Sequence, residues 1–212
     1  MQTTVQGFKY VEPADPIADF PTPDQSNWKL VEARTPRRIT SAQMDALTGL
    51  VDGQEIELEV DATVGIYWRF RYRTGSANAE KWEFVGGPAL HSEQIATETW
   101  SGATYTDIAN SPPRITVPRA GLYDIEWSAE MASGQVEYLS CTPKLGAAAP
   151  NDNDAAKFYQ GIAGTNSRVG REIRRALAKG DLVALNYKRS IGTTGVASTL
   201  LRNMSIRPVR VT

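Results

Sequence analysis

One histidine and one cysteine limit the chemistry open to this chain. A Ser-His-Asp or Cys-His arrangement would have to use His91, which sits in GGPALHSEQIA, and no serine carries a nucleophile-elbow pattern. His91 therefore reads as a loop or surface histidine. Cys141 has no second cysteine for a disulfide, and zinc wants three or four Cys or His ligands at short spacing. It reads as a small buried hydrophobe at the end of a strand. Paired carboxylates are the remaining route to hydrolysis, which needs two of them roughly 5 to 10 Å apart across a cleft. Glu126 and Glu130 share a strand face, but outward acidic residues are commonplace there, and no enzyme is expected. Asn151, Asp152, Asn153 and Asp154 offer oxygens for a hard cation without the spacing or terminal glutamate of a calcium loop. The expectation is no metal and no cofactor.

Binding chemistry is the alternative, and charge is its first clue. The net charge of -1 hides a split: from Lys157 onward there are 11 basic and two acidic residues, or +9, so the first 156 residues carry -10. The basic residues lack the interleaved aromatic platforms of single-strand binders and any duplex-reading motif, so nucleic acid is not expected. Acidic and basic parts would instead face one another, within a chain or between copies. Trp100, Tyr105 and Tyr138 are candidate stacking platforms should the chain bind carbohydrate.

The elements that would position these residues are short and mostly β. With 212 residues, 41% apolar and 22% charged, the chain can build a real core and lies outside the composition of disorder. No run of about 18 apolar residues exists, and MQTTVQGFKY lacks the basic start and apolar stretch of a secretory signal. Neither a membrane span nor signal-peptide export is expected.

Residues 1–40 form an expected extended, Pro-rich arm, with prolines at 13, 16, 21, 23 and 36 excluding helix. Tyr10, Ile17, Phe20, Trp28 and Leu30 punctuate it, too irregular for an amphipathic helix and too apolar for a solvated linker. The arm either docks on another chain or wraps its own domain. ITSAQMDALTGL then predicts a short helix, with Ser41 as N-cap, Met44 and Leu47 on one face, and Gly49 as the stop.

Residues 41–88 add to that helix a small β-meander. Ile56, Leu58 and Val60 alternate with Glu55, Glu57 and Glu59, while Trp68, Phe70 and Tyr72 alternate with Arg69, Arg71 and Arg73. Antiparallel pairing through VDATVG puts glutamates and arginines on one face and the apolar sets on the other, and a one-residue slip destroys both matches. Trp82 and Phe84 continue the pattern. An aromatic stripe could bind sugars or bases, but alternation with charge is the mark of a half-buried sheet, so these residues read as core.

Residues 89–212 carry eight strand-length patterns separated by turns, which imply a sandwich or barrel. Tyr123, Ile125 and Trp127 face one way in GLYDIEWSAEM, with Asp124, Glu126 and Ser128 opposite. REIRRALAKG fits a strand or a short helix, and Gly170 and Gly180 limit it to ten residues either way.

ITVPRAGLYDIEWSA, LAKGDLVALNYK and LRNMSIRPVRV resemble the jelly rolls of the tumour necrosis factor and complement globular-head type, through Pro118, Gly121, Tyr123, Gly180, Asp181 and Val183. That resemblance implies a jelly-roll β-sandwich of which three copies pack about an axis, with Tyr123, Ile125, Trp127, Val183, Leu185 and Tyr187 in its core or trimer interface. Residues 47–90 resemble a segment of virion structural proteins of tailed bacteriophages, through Asp52, Gly53, Gln54, Glu55, Trp68, Phe70, Tyr72, Lys81, Trp82, Phe84, Val85, Gly86 and Gly87. It implies a fibre, spike or tail-associated protein.

The combined expectation is an all-β chain with an extended N-terminal arm, a small β-meander and a C-terminal jelly-roll sandwich. The arm would hold other virion proteins, the head would trimerise with itself, and the protein would reside in the virion after assembly in the host cytoplasm. Loops 146–157 and 188–198 are its expected distal contacts with a host-surface glycan. A capsid head fibre or decoration protein, or a soluble carbohydrate-binding jelly roll, is the alternative.

Overall fold

A computed structural model describes residues 36–108, 112–190 and 195–212, together with the backbone of 2–3 and 9–10. In the arm, β1 (Gln2–Thr3) pairs antiparallel with β2 (Lys9–Tyr10). The anchors Ile17, Phe20, Trp28 and Leu30, and the side chain of Tyr10, lie outside the described residues.

The chain then runs through β3 (Arg37–Ile39), α1 (Ser41–Asp45), β4 (Glu55–Asp61), β5 (Ile66–Tyr72) and β6 (Trp82–Gly86). Next come β7 (Leu90–Gln94), β8 (Glu98–Trp100), β9 (Thr106–Asp107), β10 (Arg114–Thr116), β11 (Gly121–Ser133) and β12 (Glu137–Leu145). The last four are β13 (Ala156–Gln160), β14 (Ser167–Leu177), β15 (Leu182–Arg189) and β16 (Ala197–Val211). Among the described residues the only helix is α1, so the chain is all-β.

Two sheets face each other as a jelly-roll sandwich. One has the order β14-β11-β16-β6-β5-β4-β3, with β7 and β8 also on β16; the other runs β10-β15-β12-β13, with β9 on β15. β16 is the spine of the larger sheet: β11 pairs along one edge, while β8, β7 and β6 take successive stretches of the other. The meander β4-β5-β6 is therefore continuous with the sandwich through the pairs Arg210–Glu83 and Val211–Trp82.

The meander adopts the register its alternation demands. Ile56 faces Phe70 and Leu58 faces Trp68, all four buried, while Glu55 faces Arg71 and Glu57 faces Arg69 on the other side. Ion pairs follow from that register at 2.7 Å for Arg71–Glu55 and 3.2 Å for Arg69–Glu57. Arg73 lies beyond the end of β4 and pairs with Glu83 of β6 instead, at 2.8 Å, and Glu59 faces Tyr67. Trp68 is the hub of the aromatic core. Its ring meets Phe70 and Phe84 edge-on, leans on Tyr123, and donates its Nε1–H to Pro88 O at 2.7 Å.

Three local expectations are corrected. Helix α1 is capped by Thr40, one residue earlier than expected, because Thr40 and Gln43 complete a reciprocal capping box that Ser41 cannot make. The helix also ends before Gly49, at Ala46. REIRRAL is strand, and β14 continues back through Gly170 to Ser167 because β11 pairs with it along that whole length. Gly170 is there for space: a Cβ would lie 2.8 Å from Trp127 O and 3.0 Å from Ser128 Cβ.

Candidate binding surface

The jelly-roll residues picked out in the sequence form the floor of the site, not its surface. Tyr123, Ile125 and Trp127 on β11 face Val183, Leu185 and Tyr187 on β15, and all six are sealed within a single chain. Trp68, Phe70 and Trp82 are likewise buried, with Tyr72 and Phe84 partly covered against them. Trp100 is no platform: it is buried, its ring 5.3 Å from that of Tyr187.

The residues considered for catalysis or metal binding are spread over separate elements of the fold. Cys141 is buried and its thiol is pushed up to about 12 by desolvation. His91 is exposed on β7, with its Nε2 3.5 Å from Glu93, and lines a shallow surface cavity that also includes Glu126 and Asn203. Glu126 stands on the outer face of β11 opposite Glu172, with Arg168, Ser128 and Asn203 linked beside it through the Ser128 hydroxyl. Asp152 and Asp154 point to different cations. Asp154 is buried against Arg175, whereas Asp152 takes Lys188 at 2.8 Å, Lys157 at 3.2 Å and the Tyr105 hydroxyl at 2.8 Å.

The charge split resolves within one chain. Eight of the eleven late basic residues pair with carboxylates from before residue 155: Lys157 and Lys188 with Asp152, Arg174 and Arg207 with Asp124, Arg175 with Asp154, Lys179 with Asp45, Arg189 with Glu137, and Arg202 with Glu98. Arg171 adds a clasp across the sandwich, donating to the carbonyls of Asn153 and Ala155. Loop 146–157 is thereby tied along the β13–β14 side, and Gly146 sits against Asp181 at the end where β12 finishes. The described parts of loop 188–198, residues 188–190 and 195–198, lie at the opposite end. The two expected distal loops do not share one tip, because β12 and β15 run antiparallel and their far ends point apart.

That opposite end is held by a sealed polar network. Arg189 pairs with Glu137 at 2.6 Å and also donates to Gly195 O. Ser133 donates to Glu137 Oε1, and the Gln160 amide donates to Ser133 O and Ile162 O. Four strand ends are fixed together in this way: β11, β12, β13 and β15.

Beside it, on the outer face of the five-stranded sheet, two tyrosines stand in the open. Tyr138 and Tyr159 are direct cross-strand partners, each 57% exposed, with ring centroids 4.9 Å apart and planes tilted 48°. One pleat further along the same face are Ser140, Lys157 and Lys188, with Lys188 Nζ 5.0 Å from the centre of the Tyr105 ring. Burial raises the Tyr105 hydroxyl, and Asp152 is pulled down to about 2, first by Lys188 and then by Tyr105. Tyr159 was invisible as a platform in the sequence, since its partner lies 21 positions earlier and only the register joins them.

No protein-family profile matches the chain, and no curated protein matches it. Among solved structures, Eiger TNF from S. frugiperda aligns over 59% of this chain and 95% of its own, at 12% identity and TM-score 0.43. The globular domain of zebrafish complement 1qA aligns over 59% and 99%, at 14% identity and TM-score 0.37. A family 35 carbohydrate binding module from Clostridium thermocellum aligns over 55% and 98%, at 12% identity and TM-score 0.32. The jelly-roll assignment rests on this chain's own strand order and register.

Proposed function

We propose that the chain is a non-enzymatic structural protein of a tailed-bacteriophage virion, anchored by its N-terminal arm and projecting the sandwich as the head of a homotrimer. The observation that carries this reading is the lengthwise polarity of the molecule. At one end β3, α1 and the meander join the sandwich, and Arg119 binds Ser41, Asp45 and the Thr212 carbonyl together. At the other end, some 13 residues of β11 away, or roughly 40 Å at strand rise, lie the Arg189–Glu137 network and the exposed tyrosine pair. Attachment at one end and contact at the other is the layout of a projecting head. The resemblance of residues 47–90 to tailed-phage virion proteins supports the setting, and the jelly-roll motifs around Gly121 and Gly180 support the trimer. Localisation to the virion follows from the same reading.

Light scattering on the full chain tests the assembly. A mass of about 70 kDa, three times the 23.2 kDa chain, is expected across a concentration series. A monomer throughout overturns the trimer. Deleting residues 1–35 should leave the sandwich folded and abolish incorporation into particles; incorporation without the arm overturns the anchoring role.

A further inference from the structure

The large aromatic side chains of the sandwich and meander are nearly all drawn inward, which isolates the Tyr138–Tyr159 pair as an exception. Two rings held side by side in water forgo the burial that the remainder of the fold achieves. Their position is fixed from beneath: Glu137 and Gln160, the neighbours of the two tyrosines in the strands, are both buried in the polar network. The surface is thus rigid and ready-formed, which keeps the ordering cost of a ligand low.

The groups around the rings define the ligand. Tilted tyrosine faces suit the C–H face of a pyranose, and Ser140, Lys157, Lys188 and the Tyr105 ring lie about 7 Å further along the strands, one pleat repeat away. Two ammonium groups share the single carboxylate of Asp152, which leaves one positive charge uncompensated. An acidic sugar supplies the missing charge. A nucleic-acid strand would need a continuous basic track beyond the rings, but the next row on this face is Thr142 and Asn186, both uncharged and buried, which separates the lysine pair from Lys144 and from Arg114, itself paired with Asp107 at 2.7 Å. We infer that Tyr138 and Tyr159, with Lys157 and Lys188, form a binding subsite for a hexuronate-bearing glycan.

This assignment deepens the attachment reading and rests on it for its biological role, but the two fail separately. Calorimetric titration of the full chain with tetramers of galacturonate, glucuronate and mannuronate, and with neutral maltotetraose, provides the test. At least one uronate tetramer should bind more tightly than maltotetraose, with the preference falling as salt rises. Y138A/Y159A should weaken uronate binding at least tenfold while leaving the urea midpoint and the scattering mass unchanged. K157M/K188M should erase the preference for acid over neutral sugar. Absence of binding by all three uronates at about 5 mM overturns the subsite, as the affinity would then be weaker than any useful contact. So does a change of oligomeric mass in Y138A/Y159A, which would make the face an interface between copies, or tighter binding of oligo-dT than of every uronate. A trimer that binds no uronate defeats the subsite alone; a monomer that binds one defeats only the trimer.

Discussion

Arg189 Nη2 lies 2.6 Å from Glu137 Oε1, and neither side chain reaches solvent. The pair is buried beneath the tyrosine surface, and its remaining valences go to Ser133 and Gly195, so both charges are compensated by protein. Removing one partner strands the other. Glu137→Leu should therefore cost about 3–5 kcal/mol by urea denaturation, the usual range for an orphaned buried charge. A loss below about 1 kcal/mol would mean that water reaches the guanidinium and that the end of the sandwich is looser than its hydrogen bonds imply.

The strands of the meander could be read from the sequence because two independent patterns, aliphatic–aromatic and Glu–Arg, are satisfied by one register. β14 was ambiguous because Ile173 and Leu177 are spaced by four, which suits both a helix face and every second residue of a strand. Pairing with β11 decides it, and that is a tertiary fact. β13 was not legible as a strand: it follows the Asn/Asp-rich run of loop 146–157, and of its inward residues Ala156, Phe158 and Gln160 the last is polar. The same blindness hid the network at Ser133, Glu137, Gln160 and Arg189. Polar residues read as surface until the strands that bury them are paired.

Gly170 offers a sharp test of the β11–β14 register. Its absent side chain lets β14 pass the backbone of Trp127 and the Cβ of Ser128, at distances no ordinary Cβ tolerates. Gly170→Ala should destabilise by about 1–3 kcal/mol through forced displacement of the strand. Gly134→Ala has open space and is the matched control, expected to be near neutral. Equal midpoints for the two variants would contradict the register.

Asp152 should titrate abnormally low. Two lysines and a tyrosine hydroxyl favour its charged form, so its carboxyl midpoint, followed by carbon-detected NMR, is expected near 2 against an ordinary 3.8. Because the folded value is depressed, the stabilisation is fully present above about pH 4 and is lost as pH falls towards 2. Lys188→Met removes the largest cause and should bring the midpoint back up. A normal midpoint in the parent chain would show that the lysines are not held on this carboxylate, and their fixed placement beside the tyrosine pair would lose its support.

Arg119 joins three segments distant in sequence, and its loss should be felt as local opening more than as global unfolding. The guanidinium donates to the carbonyl and hydroxyl of Ser41 at 3.1 Å each, to Asp45 at 2.6 Å and to Thr212 O at 3.0 Å through Nε. Five rigidly forked donors make this geometry, which a lysine ammonium cannot copy. Arg119→Lys keeps the charge yet should release α1, a helix of five residues too short to persist without tertiary support. Amide exchange at Met44 and Ala46, whose bonds run to Thr40 and Ala42, should rise at least tenfold, while the β11 and β16 amides stay protected. Unchanged exchange at those two amides would place the hold on α1 in the burial of Met44 instead of in the arginine. Exchange rising equally across β11 would show that the end of the molecule where the arm joins is part of the global folding unit, and the separation of an anchored end from a contacting end would lose its physical basis.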